Sequence, residues 1–325
     1  MRIEPGRRRR GFGARRALWL LAASVPLLVA GPQTARPAAP ANVAVLMSAN
    51  VDAYRDALKG FRSGLRHRIA AEYDMGGDLK AGRKALAEMR TKVKPDLILA
   101  VGVWALQVLA EQAPDVPVVY AMVLNPPSVI GDGKRNITGA SMNVPVKSTM
   151  ELVGKLGPQI RRVGVVFNPT KTGYLIRRAE PAAREEGLQL VAREVHSSRD
   201  AMAALESLQE AGIDALWIPP DETILAPEVI QHILLLSYAR KLPVIGLSER
   251  QAQLGAVLSL QFASSEDIGR QAAELANSIL DGREASDLPY TSVRLVNVTV
   301  NLKAAQKLGL VVPQSIVGAA NTVIQ

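Results

Sequence analysis

The sequence contains no cysteine, and its only histidines are His67, His196 and His232 in 325 residues. Without cysteine there are no disulfides, no thiolate-bound zinc, no iron–sulfur cluster, no lipid-bearing cysteine and no thiol nucleophile. Three histidines far apart in sequence also leave no histidine-rich metal site. The motifs that announce catalysis are missing too: no G-x-S-x-G elbow, no G-x-x-x-x-G-K-[ST] loop, no G-x-G-x-x-G after the first apolar run and no H-E-x-x-H. Asp221 with Glu249 is a carboxylate pair placed to do acid–base work, although such pairs more often cap helices or clamp ligands. The expectation is a protein without cofactor, metal or enzymatic activity.

What is present begins with charge. The formal net charge is +9, a surplus that in a nucleic-acid binder would be spread over a binding face. Here eight arginines and one glutamate fall in residues 1–40, leaving 31 basic against 29 acidic side chains for the rest. The body is nearly neutral. Its arginine groups, such as Arg66 with Arg68 and Arg177 with Arg178, lack interleaved aromatics, so no nucleic-acid partner is expected.

The basic cluster is an address. Arg7 to Arg10 and Arg15-Arg16 precede the apolar run Ala17 to Ala30, which fits a signal-peptide core and is short for a bilayer span. Gly31 to Ala41, rich in Pro and Ala, suits a cleavage region and a flexible mature terminus. Residues 1–41 are thus expected to export the chain to the periplasm, with Arg9-Arg10-Gly11-Phe12 admitting a twin-arginine route.

The body alternates strands and helices twice over. Val43 to Met47, Ile69 to Tyr73, Leu97 to Val101 and Val118 to Val123 read as strands of a first unit. Between them, Tyr54, Leu58, Phe61 and Leu65 mark one face of a helix capped by Asp52, and Asp78 starts another after the turn Gly76-Gly77. From Arg162 the rhythm restarts with strands Val163 to Phe167, Leu188 to Val195, Ala215 to Ile218 and Val244 to Leu247, and Pro227 in the first turn of a helix. This pattern predicts an α/β fold of two doubly wound parallel-sheet lobes.

In open parallel sheets the ligand crevice lies beyond the carboxyl ends of the strands. The residues standing there are Ser48 and Asn50, Trp104, Asn125, Asn168 and Tyr174, Asp221 and Thr223, and Ser248. They are polar or aromatic, and they suit holding a small polar or aromatic solute better than breaking one. Trp217, between Leu216 and Ile218, reads as core.

Val300 to Leu310, closed by Pro313, resembles the C-terminal signature of ABC-transporter substrate-binding proteins of the tryptophan/tyrosine-binding type. Lys94 to Gly102, Asn136 to Gly139, Arg162 to Pro169 and Ala215 to Thr223 extend the resemblance from about Val43 to the end. It implies a type I periplasmic binding protein whose lobes, joined by a three-crossing hinge, close on a solute for an ABC permease of the inner membrane. Lobe one would comprise residues 42–138 plus 262–288, and lobe two residues 139–261 plus 289–325. The chain would act as a monomer; the alternative is an extracytoplasmic sensor that signals to a membrane receptor without transport. Two departures bear on the solute. Val103-Trp104 replace the small hydroxyl residues that grip a carboxylate in amino-acid-binding members, and Asn125 replaces an Asp that would meet an ammonium.

Overall fold

The computed structural model describes residues 41–112, 115–131 and 136–325. The leader expected over residues 1–41 therefore lies, apart from Ala41, outside the described residues. Among the described residues no helix is long and apolar enough to cross a membrane.

The apolar runs become the central strands of two sheets. In the first, β1 (Asn42–Met47), β3 (Leu97–Val101) and β4 (Val118–Val123) are buried almost throughout, because helices cover both faces. The outer strands are β2 (Arg68–Asp74), whose side chains alternate in exposure, and β5 (Ile137–Ser141); the order is β2-β1-β3-β4-β5, all parallel. The second sheet contains β6 (Arg162–Phe167), β7 (Gln189–Glu194), β8 (Ala215–Trp217), β9 (Val244–Gly246), β10 (Leu258–Phe262), β11 (Val296–Asn301) and β12 (Thr322–Ile324). Its order is β12-β11-β10-β9-β8-β6-β7, parallel except for the antiparallel pair β10 and β11.

Helices sandwich each sheet. On the first, α1 (Asp52–Gly64) and α10 (Ser265–Leu280) share one face with Val45, Leu99 and Val119, while α2 (Leu79–Glu88) and α3 (Val103–Gln112) cover Leu46, Ile98 and Tyr120 on the other. On the second, α5 (Val146–Gly154) and α6 (Pro169–Glu185) pack on Val165, Trp217 and Leu260. The opposite face is covered by α7 (Ser198–Glu210) and α8 (Pro227–Arg240). Short helices α4 (Pro127–Ile130), α9 (Glu249–Leu254), α11 (Leu302–Leu308) and α12 (Gln314–Ala319) complete the chain. Asp78, Ser197, Ser264 and Asn301 each accept a backbone N–H as helix N-caps. Asp52 does not: Val51 holds the cap position, and Asp52, the first helical residue, pairs with Arg55.

The chain passes between the sheets three times, from β5 to α5, from β10 to α10, and from the turn at Ala285–Asp287 to β11. β5 runs past the expected first crossing, its ladder continuing to Ser141, whereas β10 ends at Phe262, where the second was expected. The third passage runs beside β5. Thr291 N–H donates to the Gly139 carbonyl at 2.9 Å, Ser141 N–H donates to the Thr291 carbonyl at 2.9 Å, and Thr138 Oγ1 donates to the Leu288 carbonyl at 2.8 Å.

Candidate functional site

The crossings and the carboxyl ends of the strands enclose a cavity of about 290 Å³. One wall is hinge: Met142 to Val144 after β5, and Gln261 and Phe262 at the end of β10. The floor comes from the second sheet, where Trp217 ends β8 and Gly246 ends β9, with Leu175 of α6 above. Leu124, just past β4, is contributed by the first sheet. The lining is mostly apolar and contains no charged side chain; its polar members are Asn143, Thr149, Ser248, Gln251 and Gln261. An uncharged, largely apolar enclosure of this size favours a small solute with a ring or branched hydrocarbon part.

Of the nine side chains expected at the ligand, Ser248 lines this cavity. It also caps α9, its Oγ accepting the Gln251 N–H. Tyr174 stands next to the cavity, its hydroxyl accepting from Asn143 Nδ2 at 3.2 Å, and burial beside Tyr290 holds its ionisation well above the ordinary range.

Three others form a buried network that ties loops of the second sheet together. The Asn168 N–H donates to Asp221 Oδ2 at 2.7 Å, Thr172 Oγ1 donates to the same oxygen, and Thr223 N–H donates to Asp221 Oδ1 at 2.9 Å. Asn168 Nδ2 donates to Thr223 Oγ1, while its Oδ1 caps α6 by accepting the Thr170 N–H. Asp221, expected at the solute, has 0% exposure, does not line the cavity and ties these loops together. Asn168 and Thr223 share this network and do not line the cavity.

On the first-sheet side, Ser48 is buried and its Oγ accepts the Ala105 N–H at 2.9 Å, capping α3 from the neighbouring strand. Asn50 is exposed, and its Oδ1 accepts from Arg55. Trp104 is 45% exposed, its ring lies against Gly77, and it does not line the cavity. Asn125 is buried in a left-handed conformation with φ 53°. Its N–H donates to Asn143 Oδ1 at 3.0 Å and its Nδ2 donates to the Lys171 carbonyl at 2.9 Å, across to α6. None of these four, expected to hold solute, lines the cavity.

The residues that sequence reasoning missed are those whose position depends on three-dimensional closure. Trp217 is core, as read, yet it also floors the cavity. Gln251 and Gln261 sit on α9 and β10, outside the strand-end loops, although Gln261 falls at an expected crossing.

A family model described as ABC transporter substrate binding protein matches residues 42–324. The chain belongs to that family. The substrate-binding protein is 24% identical over 250 residues to the tyrosine-binding protein of Clostridioides difficile strain R20291, covering 75% of this chain and 71% of that one. Among solved structures, a ligand-free, open substrate-binding protein from Clostridium difficile superposes with a TM-score of 0.64 at 20% identity, over 88% of this chain and 99% of its own. A Streptococcus pneumoniae domain in complex with L-Trp gives 0.60 at 21%, over 88% and 100%. These likenesses establish the type I periplasmic-binding-protein fold for the substrate-binding protein.

Proposed function

We propose that this substrate-binding protein is the periplasmic solute-capture component of an ABC importer, exported by its N-terminal segment and delivering one small solute to a permease of the inner membrane. It acts as a monomer and performs no chemistry. The lobes are residues 42–138 plus 262–288 and residues 139–261 plus 289–325, with β5 persisting to Ser141 beyond the first boundary.

The observation that carries this reading is the uncharged cavity at the hinge, walled by two of the three crossings. A solute that fills it touches the segments that must rotate for the lobes to close, so binding and closure share contacts. Its apolar lining, floored by Trp217, supports an aromatic or comparably flat solute, in keeping with the tyrosine and L-Trp named for the two relatives.

Mass spectrometry of whatever co-purifies with the natively exported protein tests the reading. The expected result is one dominant small aromatic solute. Its addition to stripped protein at a hundredfold over Kd is expected to raise the unfolding free energy by about 2.7 kcal/mol. A stripped protein whose melting temperature answers to no metabolite would sink the proposal. Stimulation of a reconstituted permease by the loaded protein separates transport from sensing.

A further inference from the structure

Two carboxamides line the cavity, and both are held in one orientation. Gln251 Oε1 accepts the Leu247 N–H at 2.7 Å, and Gln261 Oε1 accepts the Glu249 N–H at 3.0 Å. A backbone N–H only donates, so each bond fixes which end of the amide is oxygen and leaves the NH₂ as the free end. Among the described residues no protein acceptor pairs with either Nε2. The place of Gln251 is protected by Gly246, where a Cβ would come within 2.7 Å of Gln251 Oε1 and 2.9 Å of Ser259 Oγ.

The two carboxylates nearest in sequence to the lining, Asp221 after Pro220 and Glu249 after Ser248, are not part of it. The lining holds no carboxylate. Asp221 is buried in its loop tie, Glu222 pairs with Lys171, and Glu249 accepts from Gln253. Asn143 is occupied by Asn125 on its oxygen and Tyr174 on its nitrogen. An ammonium placed in the cavity would lose its hydration without gaining a counter-charge. An acceptor would find two lining amides whose NH₂ ends no protein acceptor uses.

We propose that Gln251 and Gln261 are the specificity-determining pair of this cavity and that they select an apolar, flat solute bearing acceptor atoms, a carboxylate or a neutral carbonyl, with no ammonium inside the cavity. The inference rests on the solute-capture reading above and narrows its substrate class.

Calorimetric titration of the exported, ligand-stripped protein with four indole probes tests it: indole-3-propanoate, indole-3-propanamide, tryptamine and L-tryptophan. The propanoate and propanamide are expected to bind at least about tenfold more tightly than tryptamine, the equivalent of one charge-assisted or well-aligned hydrogen bond. Comparison of these two assigns the acceptor as charged or neutral. Gln251→Leu and Gln261→Leu should each weaken the favoured probe by about tenfold more than they weaken unsubstituted indole. Tryptamine binding as tightly as the propanoate, or L-tryptophan gaining more than about tenfold from its ammonium, would overturn the inference, and the parent protein alone decides this even if a variant folds poorly. A cationic solute recovered from the exported protein would also overturn it while leaving the clamp intact. If no probe binds and no solute is recovered, the solute-capture reading fails with it.

Discussion

Replacing Asp221 by Ala would strand three donors at once, the N–H groups of Asn168 and Thr223 and the Thr172 hydroxyl, in a place with no solvent. Each unsatisfied buried donor costs about 1–3 kcal/mol, so Asp221→Ala is expected to lower the urea unfolding free energy by roughly 3 kcal/mol or more. A loss below about 1 kcal/mol, the size expected of a polar cleft residue, would return Asp221 to the ligand. Tyr120 presents the opposite case. It is almost fully buried with no partner for its hydroxyl, and burial pushes its ionisation well above the ordinary range. Tyr120→Phe should therefore be neutral or stabilise by about 1 kcal/mol. Tyr120 and Tyr174 both keep their protons more tightly when folded than unfolded. Their contribution to stability is complete below the unfolded value near pH 10 and declines as pH rises beyond it. Urea midpoints are expected to be insensitive to tyrosine ionisation up to about pH 10 and to fall above it, less steeply in Tyr120→Phe.

Helices α1 and α10 meet backbone to backbone. A Cβ on Gly269 would lie 1.9 Å from the Ala57 carbonyl oxygen, and one on Gly60 would lie 1.9 Å from the Glu266 carbonyl oxygen. Gly269→Ala must push the helices apart along the face that covers β1 and β3, with an expected loss of about 1–3 kcal/mol, measurable by thermal or urea unfolding. This contact joins segments some two hundred residues apart, and no spacing within either helix announces it. By contrast, β1, β3 and β4 were legible because fully buried strands are continuous apolar runs, and Pro227 was legible because proline fits a first helical turn. The last strand, β12, is three half-buried residues pairing with β11, too short to carry a period of its own.

At the scale of the molecule, the same limit explains the site. The cavity lies at the carboxyl ends of β8 and β9, among the strand-end loops to which the parallel-sheet rule directs attention. Which of their polar side chains are free could not be read, because Asn168, Asp221 and Thr223 satisfy one another and Ser48 satisfies a helix on the next strand. Asn125 illustrates the consequence. As an amide it donates to Lys171 of α6, a bond that a carboxylate cannot make. Asn125→Asp is expected to remove this link between lobes and leave a buried charge facing a carbonyl, shifting unliganded protein towards open forms. Small-angle scattering should record a larger radius of gyration than the parent; an unchanged radius would show that the link does not hold the lobes.

The antiparallel pairing of β10 with β11, together with the hydrogen bonds joining Thr291 to β5, lashes the three passages side by side. A solute resting against Met142 to Val144 and Gln261 is consequently lodged at the fulcrum. Levers multiply displacement with distance from the pivot, so a misfit of a fraction of an ångström there becomes a much larger gap at the rims of the lobes. Any partner that gauges the distance between those rims measures, in magnified form, how well the solute fits.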